Sequence, residues 1–266
     1  MAILLEHKEL LSTQSESKTL PEWLTYFNNK YTKNQLYCFC HRNGYKFKQR
    51  TEEEISKQQS QNARKYNINQ DYFKTWSRNM AYMFGFWCAD GCIYGGKMFD
   101  ITVHKKDKYI IKKFAEELNY EGNLYDYVDR QAARLNFSCV VIYKDLIALG
   151  GQENKSLTLE FPKVPKEYLP DFIRGYFDGD GCACRIKGNR LNASFCSGSK
   201  KFLNSLLQIL RDEAGVEGGS IDYKNYKLTF GKKDSIKLGN YMYKDNPELF
   251  LLRKKEKFIF KEDKNL

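Results

Sequence analysis

Two segments of the chain share a pattern in which chemistry is possible. MFGFWCADG (Met83 to Gly91) and IRGYFDGDG (Ile173 to Gly181) each carry an apolar run with a central glycine and an Asp-Gly at its end. On helices, Asp90 and Asp180 fall at carboxyl termini, where the dipole and the free carbonyls are already negative and an acid is disfavoured. Placing two such ends together compounds the repulsion, and a hard divalent cation relieves it. Asp90, Asp180 and the neighbouring carbonyls of Ala89 and Gly179 would be its oxygen ligands, with phosphate oxygens and water completing the shell. A cation there would polarise a phosphodiester, lower the pKa of an attacking water and stabilise the leaving 3′ oxygen. Taken singly, each Asp-Gly reads as an ordinary helix-ending turn. The second copy selects the pair: Asp178 has no acidic counterpart, because Cys88 stands in the equivalent place.

The elements that must hold such a pair follow from the glycines. Gly85 and Gly175 sit inside apolar helices, where each costs roughly 1 kcal/mol relative to alanine. Ala81, Gly85 and Ala89 share one face at i, i+4, i+8, and Gly175 with Gly179 forms a matching narrow face. Two helices can therefore pack with their backbones nearly touching, as a pseudo-two-fold dimer fused into one chain. The flanking sequence repeats with them. The first copy continues through a strand at FDITVH, a helix at KKDKYIIKKFAEEL and a strand at ARLNFS; the second continues through LNASFC, KKFLNSLLQILRDE and YKLTFG. Each copy reads as a helix, a hairpin, a helix and a hairpin, an α+β class. The repeats span about 71–160 and 161–266, after a helical N-terminal unit over 1–50 and a polar linker over 51–70.

Strand alternation assigns faces. With Phe99, Ile101 and Val103 inward, Asp100, Thr102 and His104 point outward. The same parity turns out Arg134 and Asn136, Asn192 and Ser194, and Lys227 and Thr229. Arg130, Arg185, Lys187, Arg190 and Lys224 lie near strand ends, where phosphate contacts are natural. The charge supports a polyanionic partner: 44 Lys and Arg against 33 Asp and Glu give +11. In the N-terminal unit, Thr19, Pro21 and Glu22 start a helix running to about Tyr31, and Thr32 to Gln35 start a second that Gly44 ends. Lys30 to Arg50 holds six basic residues and no acid. Two helices joined by a tight turn suggest a helix-turn-helix, with Lys33, Asn34, Tyr37 and Arg42 as outward candidates for DNA.

The eight cysteines lack paired CxxC spacing and lie mostly in apolar surroundings, so buried thiols are expected rather than disulfides. Cys38, Cys40 and His41 want a fourth ligand for zinc. With no signal-peptide pattern and no long apolar run, the expectation is an intracellular protein without a membrane partner.

At these residues the sequence resembles the LAGLIDADG homing endonucleases in their single-chain, two-motif form, over about Trp76 to Phe260. The resemblance implies αββαββα repeats, a DNA-straddling saddle of two sheets, and magnesium-dependent cleavage of both strands of a long duplex by a monomer. Manganese or calcium would occupy the same site, calcium without turnover. The last acid of each motif, Asp90 and Asp180, would be the metal ligand. It also implies a basic residue near the metal; Lys232, after LTFG, fits, with Lys233 its competitor. Cys139 aligns opposite Lys232, which leaves unequal cutting open unless Lys105 or Lys144 substitutes. NQLYCFCHRNG resembles helical DNA-reading extensions of phage-type members, and YMYKDNPELFLLRKKEKF resembles the terminal segment of phage, bacterial and intein members. The absence of flanking splicing sequence favours a free-standing endonuclease, in the cytoplasm of a bacterium or phage-infected cell, with an organelle also open. An intron RNA maturase, which would take intron RNA as partner, and a non-cutting DNA-binding regulator remain alternatives. The acid pair argues for cutting, since a pure binder gains affinity by losing it.

Overall fold

A computed structural model of the chain describes residues 3–49, 51, 52, 54, 55, 66–186 and 190–258. The chain divides into two compact units, Met1–Asn62 and Ala63–Leu266.

The N-terminal unit contains helices α1 (Leu5–Gln14), α2 (Leu20–Tyr26) and α3 (Lys33–Arg42). Both expected starts form capping boxes, Thr19 with Glu22 and Thr32 with Gln35. Leu11, Trp23, Phe27, Leu36 and Cys40 make a small core. Trp23 donates from Nε1 to the Ser15 carbonyl at 3.0 Å. Two features depart from the expectation. Helix α2 ends at Tyr26 rather than Tyr31, because Asn28 and Asn29 turn into the left-handed region, which asparagine tolerates best after glycine. Helix α1 was not foreseen: LEHKELLSTQ carries no apolar stripe and buries only Leu11.

The second unit is two αββαββα repeats. The first comprises α4 (Arg78–Asp90), β1 (Gly91–Tyr94), β2 (Met98–His104), α5 (Lys108–Glu117), β3 (Tyr125–Tyr127), β4 (Ala132–Ser138) and α6 (Val140–Ala148). The second comprises α7 (Leu169–Asp180), β5 (Gly181–Ile186), β6 (Arg190–Cys196), α8 (Lys200–Ala214), β7 (Ser220–Asp222), β8 (Lys227–Phe230) and α9 (Lys232–Met242), followed by α10 (Leu252–Phe258). The antiparallel sheets have the same order, β1-β2-β4-β3 and β5-β6-β8-β7. Amphipathic α5 buries Ile110, Ile111 and Phe114, and α8 buries Phe202, Leu203, Leu206 and Leu210. Residues 66–70, read as the end of the linker, pack on the first repeat. There Tyr66 meets the Tyr120 ring edge-on, and Gln70 is buried.

Helices α4 and α7 form the centre of the unit. They are apolar nearly all round, and Met80–Cys88 and Leu169–Asp178 are buried. A helix with that composition needs partners on every side, here each other and both sheets. A Cβ on Gly85 would lie 2.0 Å from the Phe172 carbonyl oxygen, one on Gly175 would lie 2.0 Å from that of Tyr82, and one on Gly179 would lie 2.3 Å from the Ala89 Cβ. These reciprocal contacts set the helices side by side in parallel, with both carboxyl ends together. Among the described residues no helix is long and apolar enough to cross a membrane.

Candidate active site

Asp90 and Asp180 are the last residues of α4 and α7. A Cβ on Gly179 would approach Asp90 Oδ2 to 3.4 Å, so the carboxylate of one helix reaches across the end of the other. Asp90 keeps an exposed edge, yet the packed helix ends strip water from much of its surroundings. That desolvation, followed by repulsion from Asp180, pushes the Asp90 carboxyl up to about 6. Desolvation also raises Asp180.

Two buried lysines stand beside the pair. Lys254 donates to the carbonyls of Phe177 at 2.8 Å, Asp178 at 2.6 Å, Gly179 at 3.0 Å and Gly181 at 2.7 Å, closing the carboxyl end of α7. Lys155 donates to the Gly91 carbonyl, just past the end of α4, and its ammonium lies 4.9 Å from the centre of the Trp87 ring. A cation is what the negative end of a helix favours. Burial lowers the pKa of each lysine, while the field of both lysines draws Asp90 and Asp180 back toward the charged form. Neither lysine was singled out from sequence. Lys254 is embedded in the basic run RKKEK and Lys155 in a polar loop, and nothing local marks either as buried. The only available signal was positional: each follows the last helix of its repeat.

The structure places Lys232 exposed in the first turn of α9, beyond β8, and Lys233 beside it. The cations whose fields reach both aspartates are Lys155 and Lys254. Of the two carbonyls considered as ligands, Gly179's already accepts from Lys254, with its second lone pair left over.

On the first sheet, Thr102 and His104 are exposed as parity predicts. Asp100 is not. It is 5% exposed, because Arg134 and Asn136 of β4 close over it. Arg134 donates to Asp100 Oδ2 from Nε at 2.8 Å and from Nη2, and donates to the Tyr127 hydroxyl at 3.1 Å. Asn136 Nδ2 donates to the same Asp100 oxygen at 3.0 Å. On the second sheet Asn192, Lys227 and Thr229 are half-buried, and Arg190 and Lys224 are exposed. Ser194 lies on the outer face yet is buried, its small side chain flanked in register by Cys182 and Thr229. Arg185 is half-buried on β5 and Arg130 is exposed between β3 and β4; Lys187 lies outside the described residues. In the N-terminal unit Lys33, Asn34, Tyr37 and Arg42 are all exposed on α3. All eight cysteines are free thiols. Cys40, Cys88 and Cys139 are buried as expected, but Cys38, Cys92, Cys182 and Cys184 are exposed. The last three alternate outward on the first strand of each sheet.

Fold and site together define a class: two fused repeats whose abutting helices end in paired carboxylates beneath two antiparallel sheets. Residues 167–233, which run from just before α7 into the start of α9, match the family model of the LAGLIDADG-like domain. Among solved structures it is similar to the I-LtrWI LAGLIDADG homing endonuclease bound to target DNA. The identity there is 13%, over 71% of this chain and 89% of that one, at a TM-score of 0.48. It is also similar to the homing endonuclease I-WcaI bound to its DNA recognition sequence, at 15% identity over 73% and 92% of the two chains and a TM-score of 0.47. No curated protein matches the chain.

Proposed function

We propose that the chain is a divalent-metal-dependent endonuclease that cuts both strands of a long duplex-DNA target. The observation that carries this reading is the juxtaposition of Asp90 and Asp180 at two helix carboxyl ends, whose repulsion the two lysines offset only in part, since the Asp90 carboxyl stays raised, and which a bound dication would relieve. The donor set fits a hard dication. Two carboxylates and the neighbouring main-chain carbonyls are oxygen ligands, and among the described residues no third acid, histidine or cysteine completes a closed cage. Such a site stays open to phosphate oxygens and water. Asp90 and Asp180 would hold the ion, which supplies Lewis-acid polarisation of the scissile phosphate and a lowered pKa for the attacking water.

The remaining work belongs to the chain itself. Lys155 and Lys254 would place fixed positive charge beside the developing negative charge, in a partly water-excluded setting where it counts for more than in bulk solvent. Thr102, His104, Asn136, Asn192 and Thr229 would face base edges, and Arg130, Arg190, Lys224 and Lys227 would take phosphates. The exposed basic face of α3 would add phosphate contacts outside the repeats. The excess of positive charge fits that partner.

The test is cleavage of a randomised duplex library in magnesium, with Asp180→Asn as control. One enriched sequence cut on both strands, and not cut by the control, supports the reading. Sequence-selective retention of DNA without cutting by either protein defeats it and leaves a DNA-binding regulator.

A further inference from the structure

The segment that carries Lys254 is held from outside its own repeat. After α9 the chain crosses to α5 of the first repeat, where the Tyr109 hydroxyl donates to the Phe250 carbonyl at 3.2 Å and accepts from the Leu252 N–H at 2.7 Å. The next residue, Arg253, donates from Nε to both oxygens of Asp107 at 3.0 Å and from Nη2 to Oδ2 at 2.7 Å. Asp107 is only 4% exposed and stands just before α5. The Arg253 side chain is itself 53% exposed, but its three hydrogen bonds to a buried carboxylate fix direction as well as distance.

The neighbouring residue is fixed from the other side. The Leu251 N–H donates to Asp178 Oδ2 at 2.7 Å, and that oxygen also accepts from the hydroxyl of Tyr82 on α4 at 2.8 Å. Lys254 therefore reaches the end of α7 from a backbone clamped immediately upstream by two buried acids. Among the described residues no buried acid holds the backbone beside Lys155, where the nearest side-chain tie upstream is the exposed Glu153, which accepts from the Tyr143 hydroxyl of its own repeat at 2.9 Å. The Lys155 loop bears on the second repeat through the Ser156 carbonyl, which blocks a Cβ at Gly198, and through a solvent-exposed Lys201–Glu160 pair.

We propose that Asp107 and Arg253 are positioning residues for Lys254, so that the first repeat sets the placement of the lysine at the end of the second repeat's helix. The proposal rests on the reading of Lys254 as part of a cleavage centre. Its consequence is that the two cuts depend unequally on this pair. Loosening it slows the strand served by Lys254 and spares the one served by Lys155.

Arg253→Met, which keeps the aliphatic stem, tests this in the full-length protein, with Arg253→Lys as the conservative variant. Two readouts are needed. One is the 1H–15N signal of the Lys254 ammonium in metal-free, DNA-free protein, assigned by its loss in Lys254→Arg. The other is the strand-resolved rate on an end-labelled duplex of the enriched target in magnesium. Expected for Arg253→Met are a lost or shifted ammonium signal and a drop of roughly 10- to 100-fold on one strand, the scale of a small misplacement. The other strand should stay within about twofold and the DNA Kd should hold, with Arg253→Lys falling between. An unchanged signal, or equal slowing of both strands, overturns the proposal. If the wild type does not cut, the cleavage reading itself falls, and the ammonium signal alone then decides whether Arg253 places Lys254.

Discussion

Replacing Gly175 with alanine sets two well-measured effects against each other. Helix propensity alone favours the change by roughly 1 kcal/mol, because alanine is the better helix former. Packing opposes it. The new methyl would lie 2.0 Å from the Tyr82 carbonyl oxygen and 2.9 Å from the Phe86 nitrogen, whereas ordinary contact begins at 3.4 Å. The obstacle is main chain, so no rotamer change relieves it, and α4 and α7 must part by about 1.4 Å. A gap of that size forfeits much of the dispersion energy along the most buried interface of the unit. Overpacking costs about 1 to 3 kcal/mol where neighbours can yield, and here the upper end applies. The net expectation is a loss of about 2 kcal/mol, read as a lower midpoint in urea unfolding of chelator-treated protein. The same displacement separates Asp90 from Asp180, so cleavage should fall by more than the folded fraction does. A Gly175→Ala protein as stable as the wild type, or more so, would refute the claim that backbone contact at this crossing sets the spacing of the two acids.

On the proposed function, Asp90→Asn and Asp180→Asn should each abolish double-strand cleavage while leaving the Kd for DNA within about threefold, since each would remove a ligand of the proposed metal rather than a base contact; a binding assay beside a nicking assay separates the two. Metal-free stability should rise as the pH falls. Asp90 and Asp178 are both held at about 6 in the fold, chiefly by desolvation, so the folded protein binds their protons more tightly than the unfolded chain does. Their contribution is full below the ordinary carboxylate range and is lost as the pH rises through about 6; thermal midpoints in chelator from pH 4.5 to 8 check this, and midpoints that stay flat or climb with pH would refute it. Removing the charges of Lys33 and Arg42 together should weaken DNA binding and flatten the plot of log K against log salt by about 2, one for each lost phosphate contact; an unchanged slope would make α3 a scaffold.

The helices bearing the aspartates, the inward strand residues and the two capping boxes were legible because each is written in a local period or spacing. What escaped the sequence depends on tertiary neighbours. Asp100 obeys strand parity and is nonetheless buried, since its fate is decided by Arg134 and Asn136 across the register. Lys254 looks like its neighbours Arg253, Lys255 and Lys257, and only the path of the chain across α5 and onto α7 singles it out. Lys232 follows a strand that aligns between the repeats, a feature that says nothing about depth. The exposed thiols of Cys182 and Cys184 could have been read from their alternation with Ala183, had composition not argued for burial.

The reciprocal contacts at Gly85 and Gly175 confine the requirement for symmetry to a narrow seam. Elsewhere the halves already differ: where the first sheet has a locked Asp100–Arg134–Asn136 cluster, the second has the hydroxyls of Ser194 and Thr229 at the positions of Asp100 and Asn136. A chain built this way is modular. Either sheet can be rewritten, by drift or by design, without disturbing its twin, so long as the seam and the crossing of the C-terminal segment onto α5 are left alone. Joining half of this protein to half of a relative would have to preserve both the seam and the Asp107–Arg253 crossing.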